Sequence, residues 1–299
     1  MHVTRLDLDG TGSPHGLVTK ILKAEPTLSI PVPIDELARQ LDIDDIADLE
    51  TEGFEGGLLT DEGRSSGIIL VNKAARRGRR RFTIGHELGH FLIPAHKPIG
   101  SENFLCSRED MRRWAAKEQD RYAQMEVQAN QFAALILMPP PFLRLQMQRY
   151  RDPSLEQVVQ IARHFDVSKE AAARAYAEYH DQEVAVVVVK DGKISRTYKK
   201  LGFPRIEPSY GQPIPRGSLF HRVKPTSGAL TGVEEVAAET WLDIPYGKQA
   251  PALYEQVYPQ RDGFALLMLW TEKPEEEDDK DDDRTSKERL RDRQARWRS

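Results

Sequence analysis

The chain has 299 residues, a net charge of −4, 30% charged side chains and a single cysteine, Cys106. This length supports two or three modest domains with proper cores. One cysteine excludes an intrachain disulfide and a cysteine-based zinc site. There is no apolar signal segment and no run long enough to span a membrane, so a cytoplasmic protein is expected.

The first dozen residues read as frayed. Two helices follow, one from Gly16 to Lys23 and an amphipathic one from Pro33 to Leu41. Ser66 to Asn72 encloses a short apolar run bounded by polar residues, which reads as a strand. As an edge strand, its Ile68, Ile69, Leu70 and Val71 would bind extended peptide through main-chain pairing. An ordinary inner strand accounts for the same run equally well. The cluster Arg76-Arg77-Gly78-Arg79-Arg80-Arg81 carries five arginines and no interleaved aromatic residue. A solvated loop or a docking patch for an acidic partner is preferred over nucleic-acid contact, because nothing there can stack bases. Positive charge at a helix start opposes the macrodipole, so acidic partners or an anionic ligand should offset it.

The segment Phe82-Thr83-Ile84-Gly85-His86-Glu87-Leu88-Gly89-His90-Phe91-Leu92 is the most informative in the chain. On an α-helix, for which Thr83 is the expected N-cap, His86 and His90 fall on one face about a turn apart and can reach one ion. Glu87 then stands beside the metal as the general base of a zinc hydrolase requires. Ile84, Leu88, Phe91 and Leu92 supply an apolar side for packing. Gly89 suggests close approach of another backbone.

A catalytic zinc needs a third protein ligand. His96 follows Pro94, where the helix should have ended. Downstream, Ala129, Phe132, Ala133, Ile136 and Leu137 form a buried helical stripe, and Glu126 falls on the same side one turn earlier. A carboxylate on a buried face is costly unless paired or bound to metal. Glu126 is therefore the leading candidate, with Glu109, Glu118 and Asp120 as rivals in a charged, solvated stretch.

Arg81-Phe82-Thr83-Ile84-Gly85-His86-Glu87-Leu88-Gly89-His90, then Glu126-Val127-Gln128-Ala129-Asn130-Gln131-Phe132-Ala133-Ala134 and Leu137-Met138-Pro139, resemble the ImmA/IrrE family of metallopeptidases over roughly residues 30 to 180. The resemblance implies an α+β, zincin-like catalytic domain with zinc as cofactor. It also implies endopeptidase activity, in some members directed at a helix-turn-helix repressor of stress-response or mobile-element genes. The segment from Pro98 to Gln124 is longer than the family usually needs.

Ser154 to Tyr176 reads as helix, tight turn, helix, capped by Ser154 and Ser168. The pattern is helix-turn-helix-like, but its second helix offers only Lys169 and Arg174 for a groove, so a packing or partner-docking unit is preferred. Val184 to Ile194 reads as a strand, an Asp-Gly turn and a returning strand. A helix around Glu234 to Ala238 and a closing inner strand from Phe264 to Trp270 complete an α/β unit, GAF-like on the family analogy. The stretch Glu275 to Asp283 carries eight acids and one lysine, within a tail that is disordered or a solvated helix.

The expected layout is a zincin-like domain at 1–150, a helical extension at 151–182, an α/β sensor or regulatory domain at 183–272 and a charged tail at 273–299. The expected function is an intracellular zinc endopeptidase with His86, His90 and Glu126 as ligands and Glu87 as base. The alternative is a DNA-binding or repressor-sequestering regulator whose zinc site is structural. Oligomeric state is not readable from the chain.

Overall fold

The protein is described by a computed structural model covering residues 1–97, 103–117, 119–150, 152–222, 228–247 and 249–272. Glu118 and the tail 273–299, on which two expectations rest, lie outside the described residues. Helix α1 (Pro14–Ala24) begins where Ser13 accepts a hydrogen bond from the Gly16 amide and Pro14 takes the first helical position. Helix α2 spans Ile34–Gln40. The first dozen residues are anchored, contrary to expectation. Val3 and Leu8 are buried, and the Val3 amide donates to Glu25 Oε1 at 2.7 Å.

The N-terminal half is built on a mixed sheet of β1 (Ile43–Leu49), β2 (Gly56–Thr60), β3 (Gly67–Asn72) and β4 (Asn103–Cys106), in the order β1-β3-β2-β4. Strand β3 runs parallel to β1 and antiparallel to β2, so both of its edges are taken. This corrects the edge-strand expectation for Ile68, Ile69, Leu70 and Val71, whose backbone groups are already paired within the sheet. The edge beside the functional site belongs to β4, which among the described residues pairs only with β2.

Helix α3 (Arg77–Leu92) lies across this sheet and packs against α4 (Arg121–Leu137). It starts earlier than expected, and Thr83 is a buried interior residue instead of its cap. The arginines that open α3 are good helix formers, and their clash with the macrodipole is offset by acids. Arg77 and Arg81 meet Asp166 at 2.7 and 3.4 Å, Arg80 meets Asp48 at 2.9 Å, and Arg79 approaches Glu55 at 4.0 Å.

Glycines let α3 and α4 approach closely. A Cβ on Gly89 would stand 3.2 Å from both Ala129 Cα and Phe132 Cδ1, and one on Gly85 would stand 3.3 Å from Ala133 Cα. Gly89→Val should therefore destabilise the fold by about 1–3 kcal/mol through overpacking, outweighing a helix-propensity gain of at most about 1 kcal/mol. Thermal melting checks this, and an unchanged midpoint would contradict such close packing.

Helices α5 (Pro140–Met147), α6 (Leu155–His164) and α7 (Lys169–Tyr179) follow. Ser154 and Ser168 cap α6 and α7, accepting from the amides of Glu156 and Ala171. The C-terminal sheet is antiparallel, ordered β6-β5-β9-β8-β7, with β5 (Val184–Lys190), β6 (Lys193–Lys199), β7 (Glu234–Val236), β8 (Leu253–Pro259) and β9 (Phe264–Thr271). Asp191 and Gly192 both take positive φ, as a two-residue hairpin turn between β5 and β6 demands. The segment expected as a helix around Glu234 to Ala238 is instead the short edge strand β7 and a 3₁₀ turn at Ala238–Thr240.

Both faces of this sheet are covered, which explains the unbroken apolar run Val184 to Val189. Val184, Val186 and Val188 share a core with Val158, Phe165 and Tyr176 of α6 and α7. Ala185, Val187 and Val189 pack with Trp241 and Leu242 on the other side. Helices α6 and α7 thus share their core with the C-terminal sheet. The inward face of α7 is occupied, and its Arg174 lies over the Trp114 ring, so this helix is not free to enter a nucleic-acid groove.

Candidate metal centre

Two turns of α3 and one turn of α4 meet at a single buried point. His86 and His90, four residues apart, bring their Nε2 atoms to 3.1 Å from each other. Glu126 reaches across from α4, with Oε2 at 3.2 Å from His86 Nε2 and Oε1 at 3.4 Å from His90 Nε2. Glu87 is adjacent and fully buried. Glu109 is exposed, and Asp120 is spent capping α4 through the Ala123 amide at 2.9 Å, so neither described rival enters the site.

A second layer of side chains holds the imidazoles. Asn130 Nδ2 donates to the carbonyls of Asp110 and Arg113 at 2.8 and 2.7 Å, which turns its Oδ1 towards His86 Nδ1 at 2.9 Å. An amide oxygen only accepts, so His86 carries its proton on Nδ1 and offers the Nε2 lone pair to a ligand. His96 does the same for His90. Its Nε2 faces Gln128 Oε1 at 2.9 Å, and its Nδ1 faces His90 Nδ1 at 3.0 Å. Burial and the neighbouring His90 push the pKa of His96 down to about 3, so it is neutral and able to accept from His90.

Asn130→Ala would remove the brace on His86 and leave two carbonyls without their donor. Metal affinity should fall about 10–100-fold, as is usual when such an outer partner is lost. Competition against a chelator measures this, and an unchanged affinity would show that Asn130 serves only packing.

The electrostatics suit a cation. Burial pushes the Glu87 carboxyl up to about 8, with Glu126 adding to the rise and His86 opposing it. Burial would also raise Glu126, but the His86 and His90 imidazoles beside it reverse this and hold it well below the usual carboxylate range. Burial acts against a charged His86, yet its contacts with Glu126 and Glu87 outweigh that and raise its pKa. Glu87 Oε1 and Glu126 Oε2 are buried without any hydrogen-bond partner. Two orphaned carboxylate oxygens beside two oriented imidazole nitrogens are costly unless a cation is bound, so the donor set fits a divalent metal.

The sequence reading missed Cys106. Its only signal was its uniqueness, from which cysteine ligation was excluded. Strand β4 instead brings the thiol into the centre, 3.8 Å from His90 Nε2 and 3.7 Å from Glu87 Oε2. His86, His90, Cys106 and Glu126 together present four donor atoms within 4.8 Å of one another. Alternation along β4 explains the placement, since Phe104 and Cys106 point inward while Leu105 is exposed. Phe104 stacks on His90 at a ring separation of 4.7 Å.

Residues 39–176 match the peptidase family described as the IrrE N-terminal-like domain. The radiation response metalloprotease IrrE of Deinococcus radiodurans is 33% identical over 130 residues, which cover 43% of this chain and 36% of that protein. The protein of the same name from Deinococcus deserti is 26% identical over 209 residues, covering 65% and 68%. This chain therefore spans only about a third of the first relative and about two thirds of the second. A Mycobacterium tuberculosis transcriptional regulator superposes with a TM-score of 0.53 at 12% identity, covering 86% of this chain and 87% of that one. At that identity the likeness concerns the fold alone. Residues 39–176, which contain His86, Glu87, His90 and Glu126, thus match an IrrE N-terminal-like peptidase domain, and over this region the chain is similar to metalloproteases of the IrrE type.

Proposed function

We infer that the protein is an intracellular zinc-dependent endopeptidase that cleaves a helix-turn-helix repressor and thereby releases stress-response or mobile-element genes. The observation that carries the peptidase reading is the buried triangle of His86, His90 and Glu126 with the unpartnered Glu87 Oε1 beside it. Zinc suits two imidazoles and a carboxylate, and when bound it supplies Lewis acidity towards a water and the scissile carbonyl.

The chain's own residues supply the remaining steps. His86, braced by Asn130, and His90, braced by His96, hold their Nε2 lone pairs towards the same point. Glu87 takes the proton of the attacking water at Oε1 and returns it to the departing amine, the work of a general base turned general acid. The names of the Deinococcus relatives, which join a radiation response to metalloprotease activity, support a place in stress signalling.

No helix among the described residues is long and apolar enough to cross a membrane. The C-terminal sheet, covered on both faces and carrying no metal-binding cluster among its described residues, supports a GAF-like sensor or regulatory role for 183–272. Incubation of the zinc-loaded protein with a helix-turn-helix repressor encoded beside it, followed by intact-mass analysis, tests the reading. Two fragments summing to the repressor plus one water are expected. An uncut repressor that remains bound would favour sequestration without proteolysis.

A further inference from the structure

The centre is closed in this fold. His86, Glu87 and His90 are 0% exposed, and Glu126 and Cys106 are each 1% exposed. What closes it on one side is β4, with Phe104 laid on His90 and Cys106 directed at His90 and Glu87. A peptidase of this design needs its fourth metal position free for water. Here the Cys106 sulfur lies beside the three candidate ligands, 3.8 Å from His90 Nε2.

Tetrahedral zinc with N and O ligands at about 2.0–2.1 Å and sulfur at about 2.3 Å sets nitrogen or oxygen donors about 3.3–3.4 Å apart, and sulfur about 3.6 Å from nitrogen. The observed separations are 3.1 Å between the imidazole nitrogens, 3.2 and 3.4 Å from these to Glu126, and 3.8 Å from Cys106 Sγ to His90 Nε2. All four donor atoms lie within 4.8 Å of one another, so a shift of about 1 Å completes the shell. Independently, Glu126 Oε2 is buried in the same centre without a hydrogen-bond partner, which points to a ligand there and not merely to a packed cysteine.

We propose that Cys106 is a fourth, self-blocking metal ligand and that the metal-loaded chain rests as a latent peptidase until β4 withdraws the sulfur. This rests on the metal-site reading above and extends it to regulation. On metal binding the thiol loses its proton to solvent and the thiolate bonds to the ion, as coordinating thiols do. Opening exchanges that sulfur for a water, with no change in oxidation state. Strand β4 suits such a device because it is a four-residue strand that, among the described residues, is held on one side only, through the pairs Gly56–Cys106, Gly57–Leu105, Leu58–Phe104 and Leu59–Asn103. The blocked resting state also accounts for the burial of His86, Glu87, His90, Cys106 and Glu126.

Cobalt substitution of the full chain tests this without relying on activity. Cys106 is the chain's one cysteine, so a thiolate-to-cobalt charge-transfer band in the near ultraviolet can come only from it. The cobalt-loaded wild type should show that band, and Cys106→Ala should bind cobalt but lose it. In a parallel assay with zinc, Cys106→Ala should cut the repressor faster than the wild type does. Cobalt bound by the wild type without the band would overturn the proposal and leave the three-ligand reading intact. Equal cutting rates would overturn the blocking role. Failure of the wild type to bind cobalt or zinc at all would overturn the metal reading beneath it. The wild-type spectrum decides the ligand question even if the variant does not fold.

Discussion

Glu87→Gln should keep the fold and the bound metal while lowering peptide hydrolysis by about 10²–10⁴-fold, the usual contribution of general acid–base catalysis. The side chain lies beside the centre with one oxygen unpartnered, and it is not needed to complete the His86–His90–Glu126 triangle. An amide of nearly the same shape fills the space but cannot accept the proton of the attacking water. Stability should respond to pH in a diagnostic way. The Glu87 carboxyl is raised from its ordinary 4.5 to about 8, so the folded, metal-free protein holds this proton more tightly than the unfolded chain. The contribution is fully present at low pH and is lost as pH rises through that window. Denaturant titrations of metal-free wild type across the window should show this decline, and the Gln variant should lack it. A variant that hydrolyses the repressor as fast as its parent would assign the base role elsewhere.

Glu126→Ala should abolish stoichiometric metal binding, lowering affinity by more than about 100-fold, since even losing an outer partner costs about 10–100-fold. Among the described residues, Glu126 alone brings its carboxylate oxygens within 3.4 Å of both imidazole Nε2 atoms. Metal analysis after gel filtration, together with chelator competition, checks this. Undiminished metal content would remove Glu126 from the site. The fold should survive because the helix–helix seam is set by Gly85 and Gly89 against Ala133 and Ala129.

Features with a local cause were readable in the chain. The four-residue spacing of His86 and His90, the buried stripe that includes Ala129 and Phe132, the serine caps of α6 and α7 and the Asp191-Gly192 turn all express periodicity or backbone preference. The placement of Glu126 followed from the same stripe, because a buried carboxylate needs a partner. Features decided by pairing between distant segments were not readable. Strand β3 could be recognised by its apolar run, but whether it lay inside or at the edge depended on where β1 and β2 joined it. Cys106 entered the centre only because β4 registers against β2 over α3, and nothing near residue 106 announces that. Asn130 stood in the recognised motif, yet its role depends on carbonyls at Asp110 and Arg113, well outside that motif. The stretch 234–238 misled because β7 is three residues long and formed by its pairing with β8, against weak local preference.

Anomalous diffraction at the zinc edge from crystals of the zinc-loaded protein tests the metal centre most directly. One zinc per chain is expected, with His86 Nε2, His90 Nε2 and a Glu126 oxygen each at about 2.0–2.2 Å. A zinc bound at other residues, or one held by the histidines with Glu126 turned away beyond bonding distance, would contradict it.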